Sequence, residues 1–161
     1  MANLIRTQKL IDSNKRALIK FVIIADGTTQ EANTRLIDAS SLNFALNATG
    51  VISQTNPKST YRTAIKKIKA FGKLAGNIRL QWEGAANSEI AVFGAGGIDF
   101  GMEGESVLIQ NPETNPTGDI LITTVGMGTN DAVTIFIDLK KDNADYDAGQ
   151  TADPYAFNVA Q

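Results

Sequence analysis

This sequence predicts an all-β fold, an antiparallel sandwich of jelly-roll or immunoglobulin type with an extended C-terminal arm. Three observations carry that expectation. Strand-like runs rich in Val, Ile, Phe and Thr recur about every 10 to 25 residues, divided by clusters of Gly, Asn, Pro and Thr. In AVTIFIDLKK, residues 132–141, Val133, Ile135, Ile137 and Leu139 alternate strictly with Thr134, Phe136, Asp138 and Lys140. That is the period of a strand with one face in a core. Finally, 161 residues with 43% hydrophobic content suffice for one core without covalent staples.

The segments follow in order. Ile5–Ile11 reads as a first strand, and Ser13-Asn14 as the turn into Arg16–Ala25, whose ALIKFVIIA is strongly β-prone. The loop DGTTQEAN leads to a short strand at Thr34–Ala39. In SSLNFALNATG, Leu42, Phe44 and Leu46 fit either a strand or one helical turn. Tyr61–Phe71 is ambiguous: Ala64, Ile65, Ile68 and Phe71 fall at helical spacing, whereas a strand puts Ala64, Ile68 and Ala70 on one face. The strand reading is preferred, as one arm of a hairpin with Asn77–Glu83, where Ile78, Leu80 and Trp82 share a face. Ser88–Phe93 is a further strand, GAGGIDFGMEGES a glycine-rich loop, Val107–Gln110 a short strand and NPETNPTG a loop. GDILITTVGMGTNDAVTIFIDLKK then reads as a closing hairpin. One domain is expected over residues 1–141. Residues 142–161 lack periodicity and carry Tyr146, Tyr155 and Phe157 singly, either as a loose tail or as an arm laid on a neighbouring subunit.

Composition narrows the chemistry. The chain has no cysteine and no histidine, which removes thiolate catalysis, cysteine zinc sites and the commonest general base. No apolar run is long enough for a membrane helix, and the charged N-terminal MANLIRTQKLIDSNK does not read as a secretion signal. Net charge is −2 but unevenly placed: residues 1–82 carry 13 Lys and Arg against 4 acids, and residues 83–161 carry 2 against 13. Either the two halves mix on one surface, or the subunit has a basic and an acidic patch suited to ordered contact with copies of itself or with a charged shell.

No motif reaches an active site. GAGGIDFG lacks the third glycine of a dinucleotide fingerprint, and no helical pattern follows it. Asp99, Glu103 and Glu105 have oxygen ligands that could hold calcium, but the loop is not an EF-hand and a solvated acidic loop is the default. The basic stretch KSTYRTAIKKIKAFGK, with Lys66, Lys67 and Lys69, has aromatics interleaved, yet the acidic pI of about 5.1 and the absence of a nucleic-acid motif speak against a polynucleotide partner. Trp82, Tyr61 and Tyr155 are the side chains a carbohydrate-stacking module would use. No catalytic residue, cofactor or metal is expected. Candidate interface residues are Tyr146, Tyr155, Phe157, Phe136, Lys66, Lys67 and Lys69.

Several stretches together resemble small virion structural proteins of tailed phages, marine and cyanobacterial ones especially. They are RTQKLIDSNKRALIKFVIIADG, IKKIKAFGKLAGNIRLQWEG with its Trp82-Glu83 pair, GGIDF, TGDILITTVG and DAVTIFIDLKK, and the resemblance runs over most of residues 4–141. The resemblance implies a non-enzymatic β-sandwich subunit on the capsid surface, assembled in the host cytoplasm. Its role would be head decoration: a cement protein bridging major capsid subunits and stabilising the head, as a homo-oligomer, a trimer being one such form. A neck, tail or fibre-associated role is the near alternative, and a carbohydrate- or receptor-binding module the more distant one. The roughly 20 residues past Lys141 depart from the family's pattern.

Overall fold

The computed structural model describes residues 2–101 and 107–147. Its strands are β1 (Leu4–Asp12), β2 (Arg16–Ile24), β3 (Thr34–Ile37), β4 (Thr63–Lys73), β5 (Asn77–Trp82), β6 (Ser88–Phe93), β7 (Ile98–Phe100), β8 (Ile109–Gln110), β9 (Ile120–Val125) and β10 (Ala132–Lys141). A 3₁₀ turn covers Ala39–Ser41, capped by the Asp38 carboxylate. All strand pairings are antiparallel. The larger sheet runs β1-β2-β10-β4-β7, with β8 beside β7 along the same edge of β4, and the smaller runs β3-β9-β5-β6. The two enclose one core, so the chain is a β-sandwich.

The pairing order makes it a jelly roll. Outer strands pair with outer and inner with inner: β2 with β10, β3 with β9, β4 with β7 and β8, and β5 with β6. Alternate pairs fall into opposite sheets, which is a long two-stranded ribbon wrapped around a core. Two expected hairpins are therefore absent. β9 and β10 lie in different sheets, as do β4 and β5. Alternation tells which face of a strand is buried but not which neighbour it pairs with, and here the connection after β9 is anchored as a crossover. Met127 is buried within it, Asn130 at φ 64° donates its N–H to Ala25 O, and the Asp131 carboxylate accepts from Gly128 and Ala75 N–H.

Alternation does place the core correctly. Val133, Ile135, Ile137 and Leu139 of β10 are buried and face Ala17, Ile19, Phe21 and Ile23 of β2 across the register. Opposite them lie Ile78, Leu80 and Trp82 of β5 and Ile120 and Ile122 of β9. Each such side chain contributes about 1.5–3 kcal/mol of burial before chain entropy opposes it.

The ambiguous Tyr61–Phe71 stretch is strand from Thr63 on, as β4, and its helix-like spacing has a physical cause. A β-bulge shifts the β4–β10 register, so that Lys67 faces Asp138 while Ile65 faces Leu139. Ile65 and Ile68 then both point inward although three residues apart, with exposed Lys66 at the bulge. The glycine-rich loop hides β7, whose Ile98–Phe100 pairs with Ala70–Ile68. Gly97 lets it in: its φ is +68°, and a Cβ there would sit 2.1 Å from Ala70 O.

The expected boundary at residue 141 falls too early. The chain stays in the fold through Asp147: Tyr146 forms a bridge with Ala45, and Asp147 N–H donates to Phe44 O. Tyr146 is wholly buried, its hydroxyl donating to Ala39 O at 2.9 Å and its ring 5.7 Å from that of Tyr61. It belongs to this chain's own core and is not free to reach a neighbour, because a phenol this size packs best where its hydroxyl also finds an acceptor. Tyr155 and Phe157 lie outside the described residues.

Candidate functional site

The outer face of the larger sheet is the surface with the least accounted for. Strand alternation puts Arg16, Leu18, Lys20, Val22 and Ile24 of β2 on it, along with Thr134, Phe136, Asp138 and Lys140 of β10. From β4 it receives Lys67, Lys69 and Phe71. One row across the sheet reads Gln8, Lys20, Phe136, Lys69, Asp99, so a lysine flanks Phe136 on either side. Phe71, 52% exposed, stacks on Phe136 at 6.2 Å between centroids and 27° between planes. Leu4 and Ile24 are exposed nearby. Two shallow depressions mark the face, one of about 330 Å³ between Arg16, Leu18, Lys67, Lys69, Phe136 and Asp138, the other of about 540 Å³ along β1 and β2.

Charge on this face is unbalanced. Asp138 is taken by Arg16 through two bonds, 2.8 and 2.9 Å. Among the described residues Arg6, Lys20, Lys67 and Lys69 have no ion pair. On the smaller sheet, by contrast, Arg79 meets Glu89 at 3.1 Å, and Arg35 meets Glu83 at 3.1 Å and Asp119 at 3.0 Å. The basic bias of the N-terminal half thus surfaces as a patch on one sheet only.

Of the residues singled out from sequence, Phe136, Lys67 and Lys69 come together here. Lys66 sits exposed at the bulge, outside the depression. Trp82 and Tyr61 are buried, the Tyr61 hydroxyl donating to Leu46 O at 2.8 Å, so neither offers a surface on which a sugar could stack. Asp99 lies on β7, Glu103 and Glu105 lie outside the described residues, and no metal-holding cluster occurs among those described. A further concavity of about 300 Å³ at Arg62–Ala64, Gln110, Glu113 and Lys140 has Arg62 already committed to Asp145.

Sequence reading missed the buried charges. Lys141 is fully enclosed, its ammonium 2.5 Å from Asp12 Oδ1, 2.6 Å from Ser13 O and 2.9 Å from Asn43 O, and 5.0 Å from the centroid of the Tyr146 ring. Burial pushes this ammonium below its usual range and Asp12 opposes that shift. The signal was present: Lys141 continues the inward series 133, 135, 137, 139. Asp145, also enclosed, accepts from Lys58 Nζ, Arg62 Nε and Arg62 N–H.

These groups set an expected pH dependence. Burial raises the Asp119 carboxyl to about 6; Glu83 beside it adds to that, while Ala39 N–H and Arg35 oppose it. The Asp131 carboxyl is held low by the N–H groups of Ala75 and Gly128. Burial alone would raise Asp145, but Lys58 and Arg62 outweigh it and hold it low. A lowered carboxylate contributes stability above its unfolded pKa of 3.8 and loses it in acid. Asp119 acts in the other sense: the folded state holds its proton more tightly, so stability declines as pH rises from 3.8 to about 6. Melting temperature should therefore peak in weak acid and fall towards neutrality, and Asp119→Asn should flatten that fall. A melting temperature that climbs steadily from about pH 4 to about pH 7 would contradict this.

Fold and face together define a jelly-roll β-sandwich with one broad, basic and partly apolar sheet surface. No family model, no curated protein and no solved structure matches this chain.

Proposed function

We propose that this chain is a non-enzymatic virion structural protein, a capsid decoration protein that stabilises a phage head by bridging major capsid subunits. The observation that carries the reading is the outer face of the larger sheet, an open surface that carries the stacked Phe71 and Phe136 and, among the described residues, cations without ion pairs around them. A protein that works by covering a lattice needs such a face and a rigid body behind it, and needs no nucleophile. The resemblance of most of residues 4–141 to phage virion proteins points to the same reading, as does the jelly roll, an architecture that viral capsid domains share with lectins and cupins. That last support is analogy at the level of fold. Decoration stabilises by mass action: a subunit that binds the assembled shell and not its free subunits shifts the equilibrium towards the shell at every equivalent site.

The test is addition of purified protein to heads that lack it. Binding at a fixed stoichiometry, with a rise in the temperature or denaturant concentration at which the heads open, is the expected result. Failure to bind heads, with binding to tails or necks instead, would move the protein to the neck, tail or fibre. Binding to neither would remove it from the virion.

A further inference from the structure

We infer that the Phe71–Phe136 face is a docking site for an acidic protein surface, one with an apolar centre and a rim of carboxylates. The inference rests on the decoration reading for its biological setting and on this chain's own geometry for its chemistry.

The two phenylalanines are the apolar centre. Nothing in the jelly roll requires them: the core lies on the other side of the sheet, and Thr or Lys at either position would satisfy the strand. Stacked on each other, they present one continuous ring surface, with Leu18 and Val22 of β2 on the same face. Arg6, Lys20, Lys67 and Lys69 form the rim. Lys20 and Lys69 lie across from Phe136 on neighbouring strands, one on either side of the ring, and Asp99 of β7 faces Lys69. Carboxylates on a partner would complement the cations that remain, Arg6, Lys20 and Lys67. On the smaller sheet, by contrast, Arg35 and Arg79 each have a carboxylate.

A single-stranded nucleic acid is the rival occupant, since aromatic rings and lysines on an open sheet also suit stacked bases and phosphates. The sequence favours protein: the chain is acidic overall, with a pI of about 5.1, and carries no nucleic-acid motif.

The test uses the full chain and three immobilised probes: a glutamate–tyrosine copolymer, polyglutamate and oligo(dT). The expected order is copolymer above polyglutamate above oligo(dT), with binding to the copolymer weakening as salt rises. Phe71→Ser should weaken copolymer binding about tenfold, the scale of losing one anchoring side chain, with the melting temperature kept because Phe71 is already exposed. Lys67→Glu with Lys69→Glu should abolish the preference for acidic polymer, whereas Arg79→Glu on the opposite sheet should not. Tighter binding to oligo(dT) than to either polypeptide would overturn the inference in favour of nucleic acid. No binding to any probe would overturn it outright. Heads that bind the wild type and the Phe71→Ser variant equally would leave decoration standing and remove this face from it. Copolymer binding without head binding would do the reverse.

Discussion

Lys141→Met should lower the stability of the protein by about 3–5 kcal/mol, the range for breaking one side of a buried ion pair. For a chain of this size that corresponds to a fall in melting temperature of about 6–20 °C. The methionine fills much of the space of the lysine stem, so the loss is electrostatic rather than steric. Asp12 keeps a charge whose exposed area is small, and the carbonyls of Ser13 and Asn43 lose their donor. The contacts tie two distant parts of the chain, the end of β1 with the turn after it and the segment after the 3₁₀ turn, to the last residue of β10. Substituting Asp12→Asn in the same protein should recover part of the loss, because a neutral amide costs less to leave in that site than a largely enclosed carboxylate whose remaining partners are Lys9 at 3.3 Å and the Asn43 N–H. If Lys141→Met melts within a degree or two of wild type, the ammonium is not the clamp that its contacts describe.

How much of this was legible beforehand depends on what the strand period encodes. Period two says which side chains share a face, and it identified the buried row of β10 and the inward Ile78, Leu80 and Trp82 of β5 without error. It says nothing about partners, so GMGTN looked like a hairpin turn when it is a crossover between sheets held by Met127 and Asp131. It also fails at a bulge: the inserted Lys66 gave Ile65 and Ile68 a helical spacing in a strand. Three-residue β7 is too short to have any period. The outer face was half legible. Phe136, Lys67, Lys69 and Phe71 follow from alternation, but that Phe71 stacks on Phe136 needs the register of β4 against β10. Lys141 was legible and was overlooked, because a lysine at the end of a strand is ordinarily taken as solvated.

Tyr146 discriminates most sharply between the fold described and a free C-terminal arm. As an arm residue waiting for a neighbour, it could be removed without effect on the isolated subunit. As the core residue observed, Tyr146→Ala should cost about 3–5 kcal/mol, the range for deleting a large buried aromatic, and the melting temperature should drop by about 6–20 °C. The hydroxyl can be separated from the ring. Tyr146→Phe removes only the bond to Ala39 O and should cost about 0.5–1.5 kcal/mol, somewhat more if that buried carbonyl finds no other donor. The ring also borders the Lys141 ammonium, so Tyr146→Ala and Lys141→Met should not be additive. Once either is gone the pocket around Asp12 and Asn43 opens to water, and the second substitution then removes less than it does alone. A strictly additive double variant would mean that the cation and the ring stabilise the fold independently. An unchanged melting temperature for Tyr146→Ala would return residues 142–147 to the tail and end the subunit at Lys141.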